Sequence, residues 1–141
     1  MGISSEQIKW LDELVVGEWK YKNGLVNVNG NVYINSDHTG AHIRILTEIP
    51  IPFGEIIGSL YWRWSNITTL KNAPKKVSGN CFFAYNKLTS LKGAPEWVGE
   101  NFHCGWNKLT SLKGAPKYIN QNFYCTYNKL VTLNGKPKHI G

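Results

Sequence analysis

The hydrophobic positions of this chain return every 21 residues over most of its length. The segment Leu88-Thr-Ser-Leu-Lys-Gly-Ala-Pro95 recurs at 109–116 and, with substitutions, at 130–137. The same interval leads back to Ile67 and then to Leu46. Self-similarity at a short fixed period predicts a solenoid, in which each repeat buries its apolar side against its neighbours. We therefore expect uninterrupted repeats of 21 residues over 46–141.

Each repeat combines a short strand with an asparagine turn and a leucine pair. Phe102 and Cys104 alternate along a strand and point inward. Asn107 follows at a turn, where its amide can bond backbone groups of the neighbouring repeat. Leu109 and Leu112 cover the core from the return segment, and the Ala-Pro that follows favours an extended return over a helix. The expected asparagine ladder comprises Asn86, Asn107 and Asn128, with Ser65 and Asp37 in the earlier turns.

The three cysteines occupy inward strand positions. Repeat by repeat the inward pairs are Leu60/Trp62, Cys81/Phe83, Phe102/Cys104 and Phe123/Cys125. Small and large residues exchange places between these pairs, which keeps the core volume nearly constant. We interpret the cysteines as small buried hydrophobes. No CxxC spacing indicates zinc, and an odd number of cysteines argues against a disulfide framework. No metal or other cofactor is expected.

Residues 1–35 depart from the period and predict an N-terminal cap. Ser4 and Gln7 have the spacing of a capping box, which starts an amphipathic helix. Asn23-Gly24 predicts the tight turn of a hairpin. The predicted elements are a helix at 5–16, a hairpin at 18–28 and a first strand at 31–35, in which Val32 aligns with Phe102. Residues 36–45 form an inserted loop that carries His38, His42 and Arg44.

The repeat resembles that of leucine-rich-repeat proteins of a short type. The string Asn-Lys-Leu-Thr-Ser-Leu-Lys-Gly-Ala-Pro at 86–95 and 107–116 is similar to repeats of small proteins encoded by tailed bacteriophages. This resemblance implies an α+β, β-rich solenoid with parallel strands behind a helix and β-hairpin cap. It also implies a non-catalytic protein that could inhibit a host enzyme or defence factor. The repeats further resemble those of bacterial ubiquitin-ligase effectors, but no residues remain here for a catalytic domain.

Charge is distributed unevenly along the chain. Residues 1–65 contain five Lys or Arg and seven Asp or Glu, whereas 66–141 contain eleven Lys and only two Glu. The basic second half suits a partner with an acidic surface, or serves solubility alone. No apolar run reaches the ~20 residues of a membrane span, and the first residues lack the pattern of a secretory signal. A cytoplasmic protein without membrane contact is therefore expected.

The outward strand positions carry the candidate site. Two columns of aromatic residues flank a middle column, which starts with Arg63 and continues with small residues. The predicted partner-binding residues are Tyr61, Arg63, Trp64, Phe82, Tyr85, His103, Trp106, Tyr124 and Tyr127. Exposed aromatic residues of this kind are typical of protein interfaces, although stacking that merely stiffens the sheet also explains them.

Three other possibilities are the binding of single-stranded nucleic acid, catalysis, and pairing with a second copy of the chain. Aromatic columns beside columns of lysine also suit single-stranded nucleic acid, but the lysines fall in turns and arginine is scarce. No spacing of residues matches a catalytic triad or a metal site, so no catalytic residue is assigned. Finally, no capping element follows Ile140, and the last edge could pair with a second copy of the chain.

Overall fold

A computed structural model describes residues 2–34 and 47–141. The described chain forms a β-solenoid of about four turns with parallel strands and one short helix. The predicted β-rich solenoid is thus confirmed as an architecture. Some of the predictions fall on residues that lie outside the described ranges. They are the inserted loop at 36–45, which includes Asp37, the last residue of the strand predicted at 31–35, and Leu46.

Helix α1 comprises Ser5–Leu14 and begins with the predicted capping box. The Ser4 hydroxyl accepts a hydrogen bond from the backbone N–H of Gln7 at 3.1 Å. The Gln7 side chain in turn accepts one from the N–H of Ser4 at 2.8 Å. The helix ends two residues before the predicted 16, because the β-branched Val15 pairs with Val32 and starts a strand.

Strands β1 (Val15–Lys22) and β2 (Leu25–Ile34) form the hairpin of the cap. Asn23 and Gly24 join them with φ values of 53° and 80°, which confirms the predicted tight turn. The predicted division between a hairpin at 18–28 and a strand at 31–35 is wrong, because β2 runs through Gly30 without interruption. Gly30 lies opposite Gly17, and a Cβ on Gly30 would lie 2.2 Å from a backbone oxygen of β1. Glycine here permits close pairing of the strands and does not make a second turn.

Two parallel ladders start from β2 and give every turn of the solenoid two strands. The C-terminal part of β2 begins the first ladder, with Val32 beside Leu60. The first ladder continues through β4 (Leu60–Trp62), β6 (Cys81–Phe82), β8 (Phe102–His103) and β10 (Phe123–Tyr124). The N-terminal part of β2 begins the second ladder, which continues through β3 (Phe53–Ile57), β5 (Lys76–Val77), β7 (Trp97–Val98), β9 (Tyr118–Ile119) and β11 (His139–Ile140).

The core lies between the two ladders and the leucine segments. The predicted inward pairs are buried from Leu60/Trp62 to Phe102/Cys104, and the last pair, Phe123/Cys125, is half-buried. The second ladder adds a column that the sequence analysis missed, formed by Ile56, Val77, Val98 and Ile119. The extended return was therefore predicted, but its pairing into a second ladder of the same sheet was not. Two-residue strands such as Trp97–Val98 are too short to show alternation.

The predicted asparagine ladder forms at the corner that follows the first strand of each turn. Asn107 Nδ2 donates to the carbonyl groups of Phe83 and Cys104, both at 3.0 Å. Its Oδ1 accepts from the N–H of Leu88 at 2.9 Å in the preceding turn. Asn86 and Asn128 donate in the same way. Ser65 is buried at the same position, but its hydroxyl has no hydrogen-bond partner among residues 2–34 and 47–141.

Another corner repeats before the second strand of each turn. The backbone there has positive φ at Asn72, Gly93, Gly114 and Gly135, with values from 74° to 95°. A side chain just before this corner also binds the backbone: Thr69 Oγ1 accepts a hydrogen bond from the N–H of Lys71 at 3.2 Å. Asparagine and glycine tolerate the left-handed conformation, which explains the Lys-Gly-Ala-Pro string of the sequence.

Candidate functional site

The outward side of the first ladder carries all nine predicted binding residues, and we call it the aromatic face. Its first column contains Tyr61, Phe82, His103 and Tyr124. Neighbouring rings are in contact, with centroids 5.3 Å, 5.7 Å and 5.3 Å apart in that order. The first two contacts are edge-to-face, at interplanar angles of 81° and 69°. The rings of this column thus support one another while remaining partly exposed.

Tyr33 extends the first column, and the sequence analysis did not include it. Its ring stacks on Tyr61 with centroids 5.3 Å apart and planes 8° apart. The strand register places Tyr33 beside Tyr61, just as Val32 lies beside Leu60. The signal was available, since aligning 32–34 with 102–104 places Tyr33 at the position of His103.

The second column, which we call the outer ridge, contains Trp64, Tyr85, Trp106 and Tyr127. Its rings form a continuous stack with centroid distances of 3.8 Å, 5.2 Å and 3.8 Å and interplanar angles of 10° to 14°. The stack nevertheless projects into solvent: Trp64 is 54% exposed, Trp106 42% and Tyr127 66%. Mutual stacking therefore covers the ring faces but leaves the ring edges accessible.

All four residues of the outer ridge have a left-handed backbone. Their φ values are 59°, 59°, 57° and 54° in chain order. Bulky side chains rarely adopt this conformation, which glycine and asparagine tolerate better. The same chain uses glycine or asparagine at its other left-handed corner. The outer ridge therefore keeps large aromatic rings at four positions where the backbone favours small residues.

Small buried residues separate the two columns. Ala84 and Gly105 are buried between the columns, and Thr126 continues the same row. A Cβ on Gly105 would lie 2.7 Å from Cε1 of His103, so a side chain here would displace that ring. At the other end the Arg63 guanidinium lies 5.7 Å from the ring centroids of both Tyr61 and Phe82. Arg63 thereby adds a positive charge to one end of the aromatic face.

His103 is held as a neutral ring within the first column. Its Nδ1 accepts a hydrogen bond from the N–H of Gly105 at 3.0 Å. Burial, and to a lesser degree the Arg63 guanidinium, lowers the pKa of His103 below its usual range. The neutral ring accordingly carries its proton on Nε2, because Nδ1 is an acceptor. His103 contacts Phe82 and Tyr124 and acts here as a packing residue.

A second asparagine ladder borders the first column and was missed by the sequence analysis. Asn101 Nδ2 donates to Asn80 Oδ1 at 3.0 Å, and Asn122 donates likewise to Asn101 at 3.1 Å. The ladder reaches the aromatic face, because Asn80 Nδ2 donates to the Tyr61 hydroxyl at 3.4 Å. The signal was the recurrence of asparagine at 80, 101 and 122 with the 21-residue period.

A row of lysines follows the outer ridge along the chain. Lys87, Lys108 and Lys129 each lie two residues beyond a ridge position and are exposed. Within the described residues the one ion pair joins Lys117 and Glu96 at 3.9 Å, and both side chains are largely exposed. The lysines of this row thus leave their charge available to a partner.

Among the described residues, no group of three or more His, Cys, Asp or Glu side chains is placed to hold a metal ion. Cys81 and Cys104 are buried, and burial raises the pKa of both thiols. Burial also raises the pKa of the half-buried Cys125. These thiols remain protonated at neutral pH and are poor nucleophiles. The interpretation of the cysteines as core residues is confirmed for Cys81 and Cys104.

The last turn of the described solenoid exposes apolar side chains. β10 and β11 are the outermost strands of the two ladders. Val131 is 86% exposed, Leu133 61% and Ile140 46%. Pairing of this edge with a second copy of the chain stays a prediction.

Comparisons with protein-family models, with curated proteins and with solved structures find no match for this chain. No helix among residues 2–34 and 47–141 is long and apolar enough to cross a membrane. Function is therefore inferred from the geometry of the aromatic face.

Proposed function

We propose that this chain is a non-catalytic protein-binding module of the leucine-rich-repeat class, and that it binds its partner through the aromatic face. One observation carries the proposal: four large aromatic residues occupy left-handed backbone positions along the outer ridge. Such strain costs of order 1 kcal/mol per residue and clusters at functional sites. Glycine would remove the strain. The rings that occupy these positions also remain partly exposed to solvent, which favours a binding role in addition to stacking.

The partner suited to this face has an acidic, partly apolar surface. Tyrosine, tryptophan and arginine are the residues that most often anchor protein interfaces. Arg63 at one end and the exposed Lys87, Lys108 and Lys129 along the outer ridge supply positive charge. A row of four repeats about 4.8 Å apart spans ~14 Å, which fits a helix, a peptide or a compact epitope.

The setting we propose is the cytoplasm. If the protein is phage-encoded, as its repeats suggest by resemblance, the partner is a host enzyme or defence factor that the protein inhibits. The leucine-rich-repeat assignment is supported by the asparagine corner, in which Asn107 bonds carbonyl groups of two successive turns.

Binding of single-stranded nucleic acid is the alternative, and the ring spacing disfavours it. A base inserted between two rings needs them about 7 Å apart, twice the carbon contact distance. The rings of the outer ridge are only 3.8–5.2 Å apart. Bases therefore cannot enter the stack without dismantling it, and stacking on aromatic side chains is the main sequence-independent contact to single strands.

Affinity capture from a candidate host lysate tests the proposal. The bait proteins are the wild type, Tyr85→Ala/Trp106→Ala in the outer ridge, and Trp97→Ala/Tyr118→Ala on the second ladder as a control with matched residue types. We expect a protein that is retained by the wild type and the control and lost with the ridge variant. A protein retained equally by all three would place the site elsewhere. Capture that depends on nucleic acid and falls steeply with salt would favour the alternative.

A further inference from the structure

A second site lies apart from the aromatic face. A cleft of about 730 Å³ opens between the start of β2, residues 52–53 and two successive solenoid turns, 68–75 and 89–93. None of the nine residues of the predicted binding site lines it. Its volume is within the range of ~300–1,000 Å³ that small-molecule sites occupy.

The cleft lies where the repeating left-handed corner is interrupted. Asn72 and the three glycines that follow it at 21-residue intervals give four turns the same bend. Twenty-one residues before Asn72 stands Ile51, between Pro50 and Pro52, and its φ is not positive. A β-branched residue between two prolines does not adopt that bend. The wall on the side of Pro52 therefore differs from the regular stack of turns.

The charged residues that line the cleft are all basic. Lys71, Lys75 and Lys92 line it, and no aspartate or glutamate does. In the part of the chain that the structure describes, none of these three lysines forms an ion pair. Three unneutralised ammonium groups around one cleft disfavour a cation and attract an anion.

Hydroxyl groups add donors beside the lysines. Thr69 Oγ1 accepts from the N–H of Lys71 at 3.2 Å, and Ser90 Oγ accepts from the N–H of Lys92 at 3.1 Å. Each oxygen already accepts a hydrogen bond, and neither hydroxyl donates to another described group. Both O–H groups are thus available to an anionic oxygen. Pro52 and the 37%-exposed Leu25 also line the cleft and offer apolar contact.

We propose that this cleft binds a small phosphate-bearing molecule with an apolar body. The ammonium and hydroxyl groups hold the phosphate, whose dianionic charge and several oxygens match three cations and two O–H donors. The apolar body lies against Leu25 and Pro52. The site is independent of the protein partner proposed for the aromatic face.

The test compares two pairs of lysines that occupy equivalent positions in different repeats. Phenyl phosphate is titrated into the labelled full chain and followed by amide NMR shifts, with inorganic phosphate, phenol and benzoate as comparison ligands. The test variant is Lys71→Gln/Lys75→Gln. The control variant is Lys113→Gln/Lys117→Gln, which removes the register-equivalent pair two turns later, outside the cleft.

We expect phenyl phosphate to bind the wild type more tightly than any comparison ligand and to shift residues around 68–75 and 89–93. The test variant should bind at least about tenfold more weakly, the effect of losing one charge-assisted contact, and the control within about twofold. An equal loss in both variants would show only non-specific attraction to a basic surface and overturn the proposal. Equal binding of phenol or benzoate, or no saturable binding at all, would overturn it too.

Discussion

Two substitutions of Trp106, one by glycine and one by alanine, distinguish the free energy of ring stacking from that of backbone strain in the outer ridge. Either change removes stacking on Tyr85 and Tyr127, at centroid distances of 5.2 Å and 3.8 Å. At about 0.5–1.5 kcal/mol per aromatic contact, this loss is about 1–3 kcal/mol. Only glycine also relieves the backbone strain at φ 57°.

The difference between the two variants isolates the strain. A left-handed backbone costs an alanine about 1–2 kcal/mol, whereas glycine loses about 0.5–1 kcal/mol more chain entropy on folding. We therefore expect Trp106→Gly to be about 0.5–1 kcal/mol more stable than Trp106→Ala. At ordinary exposed positions the order is the reverse.

Urea unfolding followed by far-UV circular dichroism measures this difference, and unlike fluorescence it does not depend on the tryptophan that is removed. Free energies are compared at equal m-values. Thr110 is exposed and its φ is not positive, so Thr110→Gly and Thr110→Ala are the matched control pair. If Trp106→Ala is as stable as Trp106→Gly, the backbone is not strained there, and strain does not support a binding role for the outer ridge.

Three further predictions concern the asparagine corner, the first column of the aromatic face and the cysteines of the core. Asn107→Ala should lower the free energy of unfolding by about 1–3 kcal/mol in urea titrations, because it leaves the buried N–H of Leu88 without a partner. The carbonyl groups of Phe83 and Cys104 still accept from Asn86 and Asn128. The more exposed Asn128→Ala should cost less. Because the pKa of His103 is lowered in the folded protein, the unfolded chain binds a proton at higher pH than the folded chain does. The free energy of unfolding should therefore fall as the pH drops below ~6.5, the pKa of histidine in the unfolded chain. This pH dependence should be smaller in His103→Gln. A thiol reagent should label the half-buried Cys125 before the two buried cysteines, as peptide mapping would show; simultaneous labelling would contradict the packing of the core.

The sequence predicted the features that repeat side-chain types at fixed spacing. The 21-residue period identified the inward strand pairs, the Asn107 ladder and the nine residues of the aromatic face. The capping box and the Asn23-Gly24 turn were also predictable, because each depends on residues a few positions apart. These features have strong local or periodic signals.

Features that depend on backbone geometry could not be predicted in this way. The left-handed φ of the outer ridge contradicts the preference of tryptophan and tyrosine, so no propensity indicates it. After β3 the second ladder consists of two-residue strands, whose pairing is set by the neighbouring turns. The continuous β2 was divided in two because Asn29-Gly30 has the composition of a turn, whereas the structure uses Gly30 for close contact with Gly17. The asparagine ladder at 80, 101 and 122 did have a periodic signal, and it was missed.

The most direct test of the central claim is the dissociation constant of a captured partner for three purified proteins. These are the wild type, the ridge variant Tyr85→Ala/Trp106→Ala and the control Trp97→Ala/Tyr118→Ala, each shown to be folded by circular dichroism. Interface anchors typically contribute 2 kcal/mol or more, so the ridge variant should bind at least about 30-fold more weakly. The control should bind as the wild type does. Wild-type affinity in the folded ridge variant would contradict the account, and the aromatic columns would then serve to stabilise the solenoid.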